Sequence, residues 1–379
     1  MHDITVSVWN RFHSFPLING LASASFDVLG LGTTRRRPLG KKYLCCWSSA
    51  LLTQASYHLP AFRTALMTAA LHRYEKFAAR HALESRCFWG WSNHHLQAFR
   101  KAKSRGIPVI LETGSTHTLW QQEVVAAEYK REGLNFSSYY DSRVAERCLK
   151  EYEIADRICV PSQFVASTFR EQGVPSEKLA VNPFGTDIAF WREALNAKQK
   201  PTYPCVFIFV AQIMLRKGIA YLLRAWQQLK QNSHELWLVG GIDPDSRSLL
   251  ENLPDSVKLL GPKNHFEIRD LFKRAHVYVL PSLEEGMARS LLEAMAAGLP
   301  VIATQETGIT DVMVDRQDGW IVPSCDAGAL AAVMQEAIES PELIRERGQS
   351  AAQRVTVYTW ETYGARAASF FRNFIRDYQ

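Results

Sequence analysis

Two glutamates eight positions apart, Glu285 and Glu293, stand in a stretch that reads VYVLPSLEEGMARSLLEAMAAGLPVIAT over residues 277–304. The apolar run ending at Pro281 has the form of a buried strand, and Glu284, Glu285 and Gly286 make a turn. Leu291, Leu292, Ala294 and Met295 then recur at helical spacing until Gly298 stops the helix and PVIAT opens another strand. With one glutamate in the loop and the other about a turn and a half into the helix, the two cannot form a close acid/base pair. They can flank a group held at the helix start. Strand, loop, helix N-terminus and strand in succession place unpaired amides and the positive helix end at the carboxyl edge of a parallel sheet, which suits a phosphate. Carboxylates accept hydrogen bonds from hydroxyls, so a diphosphate with a hydroxyl-bearing group at either end satisfies both glutamates. A nucleotide sugar is built that way, with ribose on one side and hexose on the other.

Elements of one repeated kind must position these residues. Short apolar runs alternate with amphipathic stretches nearly from end to end, the pattern of βαβ units with helices on both faces of a parallel sheet. Strands are expected at 4–9, 26–31, 43–47, 87–91, 108–112, 157–160 and 178–181, then at 205–211, 235–240, 257–261, 277–280, 300–304 and 319–323. Helices are expected at 326–338, 341–355 and 359–379. The stretch WREALNAKQKPTYP (191–204) loses apolar periodicity and carries Pro201 and Pro204, so the chain divides there. Residues 1–195 form one Rossmann-like domain and 200–358 a second, with 359–379 returning to the first. A length of 379 residues suits two domains.

With Glu285-x7-Glu293 and the EAMAAGLPVI that follows, the second domain resembles the donor site of retaining glycosyltransferases of family 4, α/β enzymes of the GT-B fold whose two Rossmann-like domains face across a cleft. ADRICVPSQFVASTFREQGV (155–174), NPFGTD (182–187), RKGIAYLLRAW (216–226) and Thr359-Trp360 resemble the family in the same order, over roughly residues 105–375. The resemblance implies that Glu285 contacts hydroxyls of the donor sugar, that Glu293 holds the ribose, and that the amides of Gly286, Met287 and Ala288 face the diphosphate. Ala288 stands where a second glycine is frequent, and Arg289 is an unusual cation beside it. Lys217 takes the place of the lysine that neutralises the departing pyrophosphate; Gln212 replaces the usual arginine, and Arg216 is a candidate substitute. In the first domain the resemblance puts His117 in the cleft near the reacting centre, at the carboxyl end of a parallel strand, with Glu112 and Ser115 beside it. Glu112 can orient His117 or the acceptor, though a salt bridge at the core edge is the preferred reading for it. Arg11 and His13, in the first βα turn, fall at the cleft rim on the acceptor side. Asp311, in ETGITDVM, supports the donor loop or caps a helix.

The activity so implied is transfer of a hexosyl unit, with retention, from a nucleotide diphosphate sugar to a saccharide or lipid-linked acceptor, as in bacterial cell-surface polysaccharide or glycolipid synthesis. The nucleotide sugar is a co-substrate; no cofactor and no metal is expected, because no His, Cys or carboxylate cluster has ligand spacing. An epimerase or phosphorylase of the same fold, and a non-catalytic nucleotide-sugar-binding subunit, are the alternatives. Conversion of the donor without any acceptor marks the first.

Charge adds a second theme. Residues 1–110 carry 15 Lys and Arg against four acids, a net +11, which leaves −5 on residues 111–379 and +6 overall. An anionic partner for the first domain follows: a phosphorylated acceptor or an anionic membrane surface, with no nucleic-acid module to favour nucleic acid. RRRPLGKK (35–42) and the helix over 61–83, with Phe62, Leu66, Ala70, Tyr74 and Phe77 beside Arg63, Arg73, Lys76 and Arg80, suit such a surface, though a helix covering the sheet reads the same way and is preferred for 61–83. The start shows no signal peptide and no run reaches 18 apolar residues, so a cytoplasmic or peripheral protein is expected. Seven cysteines without C-x-x-C spacing read as reduced buried thiols.

Overall fold

The computed structural model describes every residue except 10–12, 35–41, 135, 137–141, 197–203, 231–232 and 379. In the first half lie β1 (Ile4–Ser7), β2 (Val28–Gly32), β3 (Lys42–Cys45), β4 (Phe88–Trp91), β5 (Val109–Glu112), β6 (Arg157–Val160) and β7 (Leu179–Val181). The second half holds β8 (Val206–Val210), β9 (Glu235–Val239), β10 (Val257–Gly261), β11 (Val277–Leu280), β12 (Val301–Thr304) and β13 (Gly319–Val322). They form two sheets, in the orders β3-β2-β1-β4-β5-β6-β7 and β10-β9-β8-β11-β12-β13. All pairings within the two sheets are parallel.

Each strand coincides, to within two residues, with a run expected from sequence. The reason is burial on both faces, which demands apolar side chains at successive rather than alternate positions. VFIFV of β8 and VYVL of β11 are buried throughout. In each sheet the strand order turns back beside the first strand, between β1 and β4 and between β8 and β11. Such switch points open a crevice at the carboxyl ends of the strands.

The expected boundary between 195 and 200 falls too late. Helix Ile188–Asn196 packs on helices His265–Arg274 and Arg289–Ala296 of the second half, with the Trp191 ring 5.6 Å from Phe272 and 5.8 Å from His265. Ile188, Trp191 and Leu195 keep helical spacing, but the polar tail after them masks it in a longer window. The chain crosses between halves just before this helix, where Thr186 bridges to Thr359.

Helix Trp360–Tyr378 opens on Thr359, whose hydroxyl accepts from the Thr362 amide at 3.1 Å, and returns to the first half as expected, along helix Ser14–Ser23. The two backbones meet at Gly20 and Gly364. A Cβ on Gly20 would stand 2.3 Å from the Gly364 Cα, closer than any side chain permits. Helix Arg63–His81 turns Ala70, Tyr74 and Ala78 inward and so covers the first sheet. Cys46, Cys87, Cys148, Cys159 and Cys205 are buried free thiols, Cys45 is half-buried and Cys325 exposed. Among the described residues no helix is long and apolar enough to cross a membrane.

Candidate active site

The carboxyl edges of the two sheets face each other across a cleft of about 860 Å³, a volume suited to a small-molecule ligand. From the first half it is lined by His13 after β1, by Trp91 to His94 around the end of β4, and by Glu112 to Thr116 after β5. The second half contributes Gln212, Arg216 and Lys217 after β8, then Glu285, Met287 to Ser290 and Glu293 after β11. In the second half, loops far apart in sequence thus converge because both belong to strands flanking one switch point.

On the second-half wall, Lys217 closes the short turn Leu215–Lys217, and Gly218 follows with φ +72°. A Cβ on Gly218 would lie 1.8 Å from the Pro281 carbonyl oxygen, so this turn nests against the loop after β11. The contact brings the Lys217 ammonium onto the Glu285 carboxylate. Burial, then the neighbouring Arg216 charge, pulls the lysine well below its usual pKa, with the Glu284 charge opposing. An ammonium held this way is desolvated in advance and positioned for a phosphate. Glu293, on the helix Arg289–Ala296, is pushed up to about 7 by burial, against the opposing charge of Arg289.

Several expected residues stand elsewhere or act otherwise. Arg216 lines the cleft, but its guanidinium donates to the Glu284 carbonyl at 2.9 Å and to its carboxylate at 2.8 Å, so it anchors a neighbour instead of standing ready for phosphate. Of the loop amides, that of Ala288 donates to the Thr307 carbonyl at 3.2 Å and is turned away from a ligand. Gly286 lies against the other half: a Cβ there would stand 1.8 Å from the Gly114 carbonyl oxygen, and Ser162 donates to its carbonyl at 2.7 Å. Met287, Arg289 and Ser290 line the cleft in its place, the last two at a helix start whose first amides have no intrahelical partner.

His117 is not in the cleft. It is the N-cap of helix Thr118–Arg131, its Nδ1 accepting from the Leu119 amide at 3.4 Å and its ring 5.0 Å from both Tyr152 and Phe169. Burial lowers it to about 4, which keeps it neutral. The strand ends at Glu112, and Thr113 to Thr116 and then Thr118 line the cleft, while the cap position between them turns the His117 ring toward Tyr152 and Phe169. The first-half histidine that does line the cleft beside a carboxylate is His13. Its Nε2 lies 3.0 Å from Glu112, which also accepts from Trp89 at 3.0 Å and from Tyr363 of the returning helix at 2.9 Å. Glu112 therefore orients His13 and not His117. Ser115 lines the cleft and accepts from Gln121 at 3.2 Å. Arg11 lies outside the described residues.

Two features escaped the sequence. His94, also on the first-half wall, is lowered to about 3 by burial and then by the His95 and Arg147 charges, so it faces the cleft neutral. Glu284, fully buried, accepts from Thr116 Oγ1 at 2.7 Å, the Thr116 amide at 3.2 Å, Gln121 at 2.6 Å and Arg216 at 2.8 Å. Burial alone would raise its pKa, but Arg216, Gln121 and Thr116 hold it below the usual value. It ties the second-half loop to the first half. The only trace in sequence was a second acid beside Glu285. Among the described residues, no group of three or more His, Cys, Asp or Glu is placed to hold a metal ion.

Comparison with known proteins bears on the same two halves. A family model described as Glycosyltransferase Family 4 matches residues 17–190, and one described as Glycosyl transferases group 1 matches residues 190–354. The amylovoran biosynthesis glycosyltransferase of Erwinia amylovora is 32% identical over 176 residues, 43% of this chain and 42% of that protein. The chain matches less than half the length of this relative and of the colanic acid biosynthesis glycosyltransferases of Salmonella typhimurium and Escherichia coli. A sucrose-phosphate synthase from Thermosynechococcus elongatus superposes with a TM-score of 0.70 at 21% identity, covering 98% of this chain and 99% of that one. Anabaena HepE in complex with UDP-glucose superposes at 0.64 and 15% identity, covering 97% and 99%. With one family model on each half and the GT-B architecture of two facing parallel sheets, the chain belongs to the family 4 glycosyltransferases.

Proposed function

We propose that this protein transfers a hexosyl unit from a nucleoside diphosphate sugar to a hydroxyl of a saccharide or lipid-linked acceptor, with retention of anomeric configuration. The observation that carries the reading is Lys217 and Glu285 in contact on one wall of the cleft, with Glu293 beyond them on the same wall. A donor entering this space exchanges one ion pair for two better-matched contacts: its diphosphate takes the Lys217 ammonium and a sugar hydroxyl donates to Glu285. Glu293 accepts from the ribose. The glycosidic bond to phosphate breaks as the acceptor oxygen bonds to the anomeric carbon, and the acceptor proton leaves with the nucleoside diphosphate. Charge grows on the departing phosphate, where Lys217 and the start of helix Arg289–Ala296 meet it. No metal is required in this scheme. The first half, with His13 held by Glu112 and neutral His94, presents the acceptor wall. Closure of the two halves excludes water, which would otherwise compete as acceptor. HepE, of the same fold, is known with UDP-glucose bound.

The test is product formation from labelled UDP-, GDP-, ADP- and dTDP-sugars, with parent and Glu285→Gln. The parent should give a transfer product, and the variant should lose about 10²–10³-fold in turnover, the scale of removing one positioned polar contact from a transition state. Equal turnover would overturn the role of Glu285. Conversion of the donor with no acceptor present would instead support the epimerase or phosphorylase reading.

A further inference from the structure

The helical hairpin formed by Trp47–His58, the turn Pro60–Phe62 and Arg63–His81 follows the edge strand β3, and none of its residues lines the cleft. Its inner side is accounted for: Ala70, Tyr74 and Ala78 are buried, and the Tyr74 hydroxyl meets that of Ser7 at 2.7 Å. The outer side is not. Leu44, Trp47, Leu51, Tyr57, Leu59 and Phe62 are exposed, Trp47 by 51% and Phe62 by 63%. Six of the fourteen large apolar side chains exposed among the described residues thus fall between positions 44 and 62. Scattered surface apolar groups do not concentrate in this way.

Beside this apolar ridge lies a cavity of about 400 Å³ lined by Cys46, Ser48, His72, Arg73, Lys76 and Arg80. Cys46 and Ser48 flank Trp47, so the cavity opens next to the ridge. Arg73, Lys76 and Arg80 are three and four positions apart, on one side of their helix. Among the described residues none of the three has an acidic side chain in ion-pair reach. The one acid within residues 42–83, Glu75, is buried and turned toward Arg147 at 3.9 Å, while Lys42 and Arg63 add to the positive charge. The face is cationic and apolar at once.

We infer that this hairpin seats the protein on an anionic membrane surface, with a lipid phosphate in the cavity of Arg73, Lys76 and Arg80 and with Trp47 and Leu51 at the boundary between headgroups and acyl chains. Trp47 and Leu51 lie one helical turn apart, on the same side. An amphipathic indole beside unpaired cations matches such an interface in both polarity and charge. Lipid-linked substrates would then be met by the half that carries the acceptor wall, but the inference does not depend on the transfer reaction.

The test is sedimentation of the full chain with vesicles of phosphatidylglycerol mixed into phosphatidylcholine, and with phosphatidylcholine alone, at about 0.15 M salt. The protein should bind the anionic vesicles and not the neutral ones. Arg73→Gln/Lys76→Gln/Arg80→Gln should weaken partitioning on the order of a hundredfold, from about 1 kcal/mol for each cation near the surface. Trp47→Ser/Leu51→Ser should weaken it about tenfold. Melting temperatures matching the parent keep both readouts interpretable. Absence of binding by the parent, or binding indifferent to both sets of substitutions, overturns the inference. So does a concentration-dependent dimer that Trp47→Ser/Leu51→Ser abolishes, which would make a second copy of the chain the occupant. Vesicle binding with no transfer activity would leave the membrane face standing and overturn the catalytic reading alone.

Discussion

At the scale of single residues, the site is a set of charges held ready by burial. Lys217 meets the Glu285 carboxylate on the cleft wall, and Glu293 stands beyond them with its carboxyl raised to about 7. That raised value has a sign that can be tested. The unfolded chain releases the Glu293 proton near the ordinary 4.5, the folded chain only near 7, so between these values the folded state binds more protons and stability falls as pH rises. Glu293→Gln should remove that slope and stabilise the protein above pH 7 by about 3 kcal/mol, as read by urea unfolding at pH 5 and pH 8. Parallel pH profiles for variant and parent would show that Glu293 is solvated after all. A diol that donates to ionised Glu293 implies that nucleotide affinity in the parent weakens below pH 7. Both glutamates stood out by residue type and spacing, and Lys217 by the family resemblance. The role of His117 was not: five residues of loop after Glu112 decide whether a side chain enters the cleft or caps the next helix, and no periodicity governs a loop.

At the scale of elements, the loop after β11 does more than line the second-half wall of the cleft. Glu284 and Gly286 of this loop, and Asp311 of the loop after β12, each touch the other half: Glu284 through Thr116 and Gln121, Gly286 through Ser162 and Gly114, and Asp311 by accepting from the Gln163 amide at 2.7 Å, at the start of helix Gln163–Glu171. The capping expected of Asp311 therefore crosses from one half to the other. Glu284→Ala leaves Arg216 without this carboxylate and removes the acceptor of three first-half donors, the Thr116 amide and hydroxyl and the Gln121 side chain, so stability should drop by about 3 kcal/mol. Transfer should fall as well, because the cleft no longer closes in register. Urea unfolding and turnover measured on the same preparation check both, and loss of turnover at full stability would point to a direct role in the chemistry. Strand and helix positions were largely readable, since double-sided burial writes itself as apolar runs. The boundary helix Ile188–Asn196 was hidden by its polar continuation.

For the whole molecule, the chain crosses between the halves where Thr186 bridges to Thr359, and helix Trp360–Tyr378 returns onto Ser14–Ser23. Gly364→Val would set a side chain 2.8 Å from the Gly20 Cα and the Pro16 carbonyl, so this contact should open at a cost of about 1–3 kcal/mol. Thermal unfolding, with amide exchange over residues 360–378, measures it; an unchanged melting point would mean that the helix does not dock there. Tyr363 on the same helix donates to Glu112, which links this packing to the orientation of His13 in the cleft. By itself the sequence determined two parallel sheets, the loop-and-helix placement of Glu285 and Glu293, and the lopsided charge, because these rest on neighbours in the chain, on helical and strand spacing and on composition. Only the tertiary structure decided which histidine meets Glu112, that Glu284 ties the halves together, and that the apolar ridge of residues 44–62 faces outward beside unpaired cations. Those outcomes depend on contacts between residues up to 251 positions apart, and on how each loop turns at the end of its strand, neither of which leaves a local pattern.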